Sequence, residues 1–286
     1  MMNENLITFY RLSGTGDYSF DYHSHQEYEI YFFHSGSCRY LINNHIYDLK
    51  PGDILLMDGM TLHRPNVQPN YEYIRSVVHF SPLWIKGVLQ EMGSMYLLDP
   101  FQNLQHCLIR TNENDKSKYL EDVCRRLSQL SNPTLNIEDN NIQVETERKV
   151  LLLQVLIIVN QLVKEARLEI PDKKEAKTEQ AEKIASYIQL NYMKKLTLDF
   201  IAEELNVSKS YLSHVFKEIT GFTVMEYLMK CRLTQVKYLL EMEPDKPLKD
   251  IAYECGFESV AHFSRYFREK VGVTAKEYRR LRLAME

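Results

Sequence analysis

The chain has 286 residues, of which 44% are hydrophobic, and a formal net charge of −4. This length and composition predict two globular domains, each with a hydrophobic core, and argue against disorder. Five cysteines without paired spacing argue against a disulfide framework or a zinc ribbon and favour reduced thiols in a cytosol.

Residues 6 to 82 predict an antiparallel β-barrel or sandwich. The segments YEIYFFHSG, CRYLINNHIYDL, GDILLMDGM and YIRSVVHFS are short and alternating, and Gly, Asn and Pro turns separate them. His23, His25 and Glu29 lie at even spacings, so a continuous strand would point all three side chains into the barrel, where His63 could join them. Two segments, HSHQEYEIYFFHSG and PGDILLMDGMTLH, are similar to the two motifs of the cupin barrel, although Asp58, Gly59 and Met60 depart from the second motif.

The His and Glu cluster has three interpretations. Three imidazoles and a carboxylate could bind a divalent metal, could line a pocket for a small effector, or could be hydrogen-bonded core groups. The metal set is His23, His25, Glu29 and His63, and the effector set adds Arg39. Arg39, Tyr40 and Tyr18 could reach a polyol, which makes a carbohydrate a candidate effector, or the tyrosines could simply close the mouth of the barrel. His79 is assigned to the core, and His34 and His45 to exposed turns.

The chain becomes helical from Asp115 to Leu168. The run VLLLQVLIIVNQLV is apolar almost all round but is shorter than a membrane span requires. It therefore predicts a buried helix, either packed wholly against the barrel or shared with a second copy in a homodimer, which we favour. The polar segment 169–179 contains Pro171 and predicts a linker.

The same pattern occurs twice in the carboxy-terminal part. IAEELNVSKSYLSHVFKEITGFTVMEY begins at Ile201, and IAYECGFESVAHFSRYFREKVGVTAKEY begins at Ile251. In each copy a short helix is followed by a turn, a serine N-cap (Ser208 or Ser259), an amphipathic helix and a glycine stop (Gly221 or Gly272). This order predicts two helix-turn-helix units.

The outward faces of the second helices are suited to a DNA major groove, because Arg pairs with guanine edges and Ser and His bond to several bases. The predicted DNA-binding residues are Lys209, Ser210, Ser213, His214, Lys217, Ala261, His262, Ser264, Arg265 and Arg268. The helical segment between the units predicts a stiff spacer whose exposed Lys230, Arg232 and Lys237 could meet phosphates, as could Arg279.

Residues 180 to 283 resemble the DNA-binding domain of the AraC/XylS family of bacterial transcription regulators, most closely from RLTQVKYLLEM through LKDIAYECGFESVAHFSRYFREKVGVTAKEYRR. Ala275 stands where the family usually has Pro. The family often has a cupin-like barrel ahead of this domain. The resemblance implies an α+β multidomain chain: a cupin-like effector-binding and dimerisation domain (1–168), the linker (169–179) and a DNA-binding domain (180–286).

We therefore expect a cytoplasmic transcription regulator, an activator controlled by a small polar effector. Its expected partners are promoter DNA, the effector, a second copy of the chain and, as a further candidate, RNA polymerase, with no membrane partner. We expect no enzyme, because no phosphate loop, nucleophile elbow or paired catalytic carboxylates occur. The alternatives are a constitutive DNA-binding regulator whose barrel only dimerises, and a cupin metalloenzyme.

Overall fold

A computed structural model describes residues 5–14, 27–58, 62–67, 72–102, 107–111, 114–130, 141–166 and 175–283. In its amino-terminal half, strands form two sheets that face each other. The strands are β1 (Leu6–Gly14), β2 (Tyr28–Ser35), β3 (Cys38–Ile42), β4 (His45–Asp48), β5 (Asp53–Met57), β6 (His63–Val67), β7 (Tyr73–Phe80) and β8 (Cys107–Arg110). The larger sheet has the order β1-β7-β2-β5-β8, and the smaller has the order β4-β3-β6.

Strand alternation explains why the larger sheet is buried on both faces. In β2, Tyr31 and Phe33 point into the space between the sheets, whereas Ile30 and Phe32 point to the other side. In β5 all residues are buried, because one face contacts the barrel interior and the other contacts helices. The predicted antiparallel barrel is thus confirmed, and its larger sheet has helices on its outer face.

These helices follow the barrel strands. They are α1 (Pro82–Glu91), a 3-10 turn (Met95–Leu98), α2 (Asp99–Gln102), α3 (Asp115–Leu130) and α4 (Asn141–Ala166). Helix α4 buries Leu152, Val155 and Val159 against the sheet, while Val150 and Ile157 stay on the surface. Within the described ranges, no helix is long and apolar enough to cross a membrane.

The carboxy-terminal half is helical. Its elements are α5 (Ala176–Asn191), α6 (Leu198–Glu204), α7 (Lys209–Thr220), α8 (Val224–Met242), α9 (Leu248–Glu254), α10 (Val260–Val271) and α11 (Ala275–Leu283). Helix α5 already begins inside the segment 169–179 for which the sequence predicts a linker, and residues 167–174 lie outside the described ranges. The domain start at 180 therefore stays a prediction.

The predicted caps of both helix-turn-helix units are confirmed. The Ser208 hydroxyl accepts a hydrogen bond from Tyr211 N, and the Ser259 hydroxyl accepts one from His262 N. Gly221 and Gly272 end α7 and α10 with φ of 76° and 84°, a left-handed conformation that glycine adopts without the steric cost of a side chain. Ala275 begins α11 in place of proline, and Thr274 and Glu277 close a reciprocal cap there.

Candidate nucleic-acid interface and barrel interior

An acidic and imidazole cluster lies inside the barrel. Glu29 Oε2 is 3.0 Å from His63 Nε2 and 3.3 Å from His79 Nε2. The Glu29 and His63 side chains are only 5% and 2% exposed, and the His79 side chain is 20% exposed. Because β2, β6 and β7 come from both sheets, the cluster joins the two sheets across the barrel. It provides a carboxylate and two imidazoles, which can donate to or accept from a polar ligand.

Buried tyrosines surround this cluster. The hydroxyls of Tyr31 and Tyr73 are hydrogen-bonded to each other, and the Tyr40 ring stacks on His63 with centroids 6.4 Å apart. Burial, followed by the charge of Glu29, holds the pKa of Tyr40 well above its usual value, so its hydroxyl stays protonated. Burial also raises the pKa of the nearby Cys38 thiol to about 12, which makes it a poor nucleophile.

The structure brings together some of the predicted barrel residues and not others. Glu29 and His63 meet, as the strand alternation predicts, whereas His23, His25 and Tyr18 lie outside the described residues. Among the residues that are described, no group of three or more His, Cys, Asp or Glu could hold a metal ion. The metal interpretation therefore depends on His23 and His25 and stays a prediction.

Arg39 requires a correction, because it does not face the barrel interior. Its neighbour Tyr40 does, so alternation along β3 places Arg39 on the outer face. There its guanidinium donates to Asp48 Oδ1 at 2.8 Å and to Glu175 Oε2 at 3.4 Å. We therefore remove Arg39 from the residues expected to line the effector pocket.

Two further histidines have partners that the sequence interpretation did not assign. His79 belongs to the interior cluster, a role that its even spacing from Tyr73 and Val77 could have indicated. His34 is not exposed: its side chain is 6% accessible and its Nε2 lies 2.7 Å from Ser76 Oγ. Burial lowers the pKa of His34 to about 4, although the Glu121 carboxylate opposes this shift.

Helix α7 presents the predicted polar face of the first unit to the surface. Leu212, Val215 and Phe216 are fully buried, and the opposite face is accessible. Of the predicted DNA-binding residues, Lys209, Ser210, His214 and Lys217 are exposed and Ser213 is partly exposed. His214 Nε2 lies 3.5 Å from Glu218, which Lys177 of α5 also contacts at 2.8 Å, and this contact with Lys177 lowers the pKa of Glu218.

Helix α10 does the same for the second unit. Phe263 and Phe267 are buried, whereas Ala261, Ser264, Arg265 and Arg268 are exposed. His262 is partly exposed, because its ring packs against Phe257 and Tyr266. Both units thus have a polar ridge opposite an apolar core, as entry into a major groove requires.

Two predicted phosphate contacts require correction. Arg232 of α8 is buried, and its guanidinium donates to the carbonyls of Tyr192 and Lys194 at 2.9 Å each. Arg279 of α11 donates to the Lys246 carbonyl at 2.7 Å, and burial lowers its pKa. Both residues therefore hold the helices together, whereas Arg280 beside them is exposed.

A cleft of about 950 Å³ lies between the two units and the barrel. Helix α8 contributes Lys230 and Lys237 to its lining, α7 contributes Lys217, and α10 contributes Lys270. Burial and the neighbouring charges of Arg282 and Lys230 lower the pKa of Lys237, although Glu241 opposes this shift. The basic character of α8 is thus concentrated in this cleft.

A polar barrel interior followed by two exposed polar ridges defines a ligand-binding domain joined to a DNA-binding domain. A family model described as an AraC-like ligand binding domain matches residues 7–156, more than half of the chain, and one described as a helix-turn-helix domain matches residues 201–281. The chain therefore belongs to the AraC family of DNA-binding transcription regulators.

Similar proteins are regulators as well. The HTH-type transcriptional activator RhaR of Yersinia pestis is 28% identical over 90% of this chain and 83% of its own length. The Msm operon regulatory protein of Streptococcus mutans is 26% identical over 92% of this chain and 87% of its own length. A solved structure, the C-terminal domain of AraT, a response regulator from Geobacillus stearothermophilus, is 32% identical, with a TM-score of 0.36, over 38% of this chain and 89% of that one.

Proposed function

We propose that a small polar molecule binds in the barrel and changes how the two helix-turn-helix units bind promoter DNA. The observation that carries this proposal is the Glu29, His63 and His79 cluster, which offers both hydrogen-bond donors and acceptors inside a ligand-binding domain. Tyr31, Tyr40 and Tyr73 belong to the buried cluster of the barrel interior, and their rings and hydroxyl groups favour a molecule rich in hydroxyl groups, such as a sugar.

A thermal-shift screen of polar metabolites on the full chain tests this proposal. A ligand present at about a hundred times its Kd adds about 2.7 kcal/mol to stability, which is readily measured. We expect a stabilising metabolite in the wild-type protein and a reduced response in Glu29→Gln, which keeps the shape of the side chain. If only divalent metals stabilised the protein, and a chelator removed the effect, the barrel would be a metal site and not an effector site.

The second half of the proposal is that ligand changes DNA affinity. DNA duplexes selected from a random library by the wild-type protein supply the probe for a titration with and without the stabilising metabolite. Linkage requires that DNA and ligand change each other's affinity by the same factor. Equal DNA affinity in both titrations would favour the constitutive regulator, whose barrel does not respond to ligand.

We infer that transcription is activated and not repressed, and that the protein acts in the cytoplasm and has no enzymatic activity. The relatives support the first inference, because RhaR is named a transcriptional activator. A reporter gene placed behind a selected site tests the sign: expression should rise with the protein and fall in Arg265→Ala. An activator also needs contact with RNA polymerase, which a pull-down on the same promoter fragment would detect.

We further propose a homodimer formed through α3 and α4. Ile142, Val150 and Ile157 are 85%, 48% and 41% exposed and lie on one face of α4. A second copy would cover this stripe in a two-fold symmetric interface. Sedimentation should give a dimer for the wild-type chain and a monomer for Ile157→Glu, whereas Leu190→Glu, which changes an exposed leucine on α5, should stay dimeric.

A further inference from the structure

The small sheet of the barrel has two faces with different partners. Strand β6 pairs with β3, and His63 lies opposite Ile42 while Arg64 lies opposite Leu41. His63 and Ile42 point into the barrel, where His63 meets Glu29. Leu41 and Arg64 point outwards, since successive side chains of a strand alternate between faces. Two consecutive residues of β6 therefore lie on opposite faces: His63 contacts the interior cluster, and Arg64 lies on the outer surface of the barrel.

The outer face of this sheet packs against the first helix-turn-helix unit. Leu41, Ile46 and Leu62 belong to one buried apolar cluster with α5, α7 and α8, a cluster that includes Phe216 of α7. The core of the second unit, around Phe263 and Phe267, includes no barrel side chain among the described residues. Within the described residues, the barrel is thus part of the core of the first unit and not of the second.

Polar contacts fix the same interface. The Asn66 amide donates to the carbonyls of Glu218 at 3.3 Å and Ile219 at 2.9 Å, in the last turn of α7. Gly221 allows this approach, because a Cβ built there would lie 3.1 Å from Asn66 Oδ1. The Tyr227 hydroxyl of α8 donates to the Asn43 carbonyl at 2.6 Å. The two Asn66 bonds satisfy carbonyls at the end of α7 that would otherwise need water, and the Tyr227 bond satisfies a carbonyl of the turn between β3 and β4.

Strand β6 also holds the loop between α7 and α8. The guanidinium of Arg64 lies 4.1 Å from the ring centroid of Phe222, a cation–π contact. The peptide N–H of Ile46, on β4 at the other side of β3, donates to the Glu182 carboxylate of α5 at 2.7 Å. Tyr266 and Lys270 of α10 line the same cleft as Arg64.

We propose that the barrel controls only the first helix-turn-helix unit, through β6, and that the second unit is a constant anchor on DNA. This rests on the proposed function, because the ligand acts at His63. A ligand that displaces His63 from Glu29 shifts β6, and Arg64 and Asn66 follow because they share its backbone. The end of α7 then moves with them, one turn after His214 and directly after Lys217. Packed interfaces have discrete arrangements, so a small shift changes the orientation of the unit.

Hydrogen exchange on the full chain without ligand tests the transmission step. His63→Gln and His79→Gln each remove an imidazole that contacts Glu29, but only His63 lies on β6. We expect His63→Gln to speed exchange in the last turn of α7 and the first turn of α8 by roughly fivefold or more, with α10 unchanged. His79→Gln should leave α7 as in the wild type. Equal effects of both variants on α7, or no effect of His63→Gln there, would overturn the proposal.

DNA binding tests the division of labour. With duplexes selected from a random library, His214→Ala assigns the bases that the first unit contacts, and Arg265→Ala assigns those of the second. A wrong base lowers DNA affinity by a measurable factor. Asn66→Ala should change this factor by roughly fivefold at the bases that the first unit contacts, and should leave it unchanged at the bases that the second unit contacts.

A larger and a smaller loss of affinity at the bases of the first unit both support the proposal. The sign shows only whether the contact between the barrel and the first unit favours or opposes DNA binding. Equal changes at the bases of both units, or a change at the bases of the second unit alone, would overturn the proposal. A metabolite screen without any stabilising compound would overturn the proposed function and leave these ligand-free results intact.

Discussion

The first unit buries Phe216 in a cluster that includes side chains of the barrel, whereas the second unit buries Phe267 among residues of α8 to α11. The caps of α7 and α10 are nearly the same, and each helix exposes a polar ridge opposite its buried face. Two copies of one motif thus differ in what covers them and not in how they are built. This difference teaches that duplication of a DNA-binding motif does not require both copies to be regulated alike.

The largest expected effect comes from removing the two buried rings. Phe216→Ala and Phe267→Ala should each cost about 3–5 kcal/mol, because each leaves a cavity in a closed core. Only Phe216→Ala should also loosen the barrel contact. Trp84, the single tryptophan of the chain, packs against the core between the larger sheet and its covering helices, and so reports on the amino-terminal domain. Its fluorescence during urea unfolding should shift for Phe216→Ala more than for Phe267→Ala, and equal shifts would contradict the comparison.

Acid should separate the same two regions. His34 is buried with a pKa lowered to about 4, against an ordinary value of 6.5, so the folded state disfavours its proton. Its contribution to stability is complete above pH 6.5 and is lost as the pH falls towards about 4, on the order of 3 kcal/mol in all. Acid unfolding that Trp84 fluorescence reports should therefore begin at a higher pH than the loss of hydrogen-exchange protection in α10. His34→Gln should flatten the pH dependence, and an unchanged slope would show that another group is responsible.

Base recognition compares the two exposed ridges directly. Arg265→Ala should cost on the order of 1 to 3 kcal/mol at one or two base positions, because an arginine fork pairs with a guanine edge. His214→Ala should cost less, since its imidazole makes fewer bonds and already contacts Glu218. Competition binding with single-base variants of a selected site measures both. A uniform loss across all sequences for Arg265→Ala would mean that the ridge of α10 does not enter the groove.

Local signals in the sequence predicted the two helix-turn-helix units well. The positions of side chains that depend on contacts between distant parts of the chain were predicted less well. The serine caps and glycine stops act within one turn of helix, so their residue types sufficed to place α7 and α10. Strand alternation likewise brought Glu29 and His63 together. Arg39 was misplaced, because the sequence does not tell which face of β3 is covered by another domain.

The errors at Arg232 and Arg279 have a similar cause. A basic residue on a helix is usually solvated, and only the folded chain reveals the carbonyls that these two guanidinium groups meet. His79 was assigned to the core without a partner, since the spacing of a single histidine indicates its face of the strand but not the group that it meets on another strand. Tertiary contacts therefore decide the roles of charged residues more than their spacing does.

The smallest expected effect separates structural from electrostatic arginines in the second unit. Arg280 is exposed, whereas Arg279 donates to the Lys246 carbonyl. Arg280→Ala should weaken binding to all DNA sequences alike and lower the slope of log affinity against log salt by about 1, because one phosphate contact is lost. Arg279→Ala should lower the melting temperature and leave the salt slope nearly unchanged, since its charge is engaged within the protein. Titrations at several salt concentrations measure both slopes. If both variants lowered the slope equally, Arg279 would also contact a DNA phosphate, and the DNA-binding surface of the second unit would include α11 as well as α10.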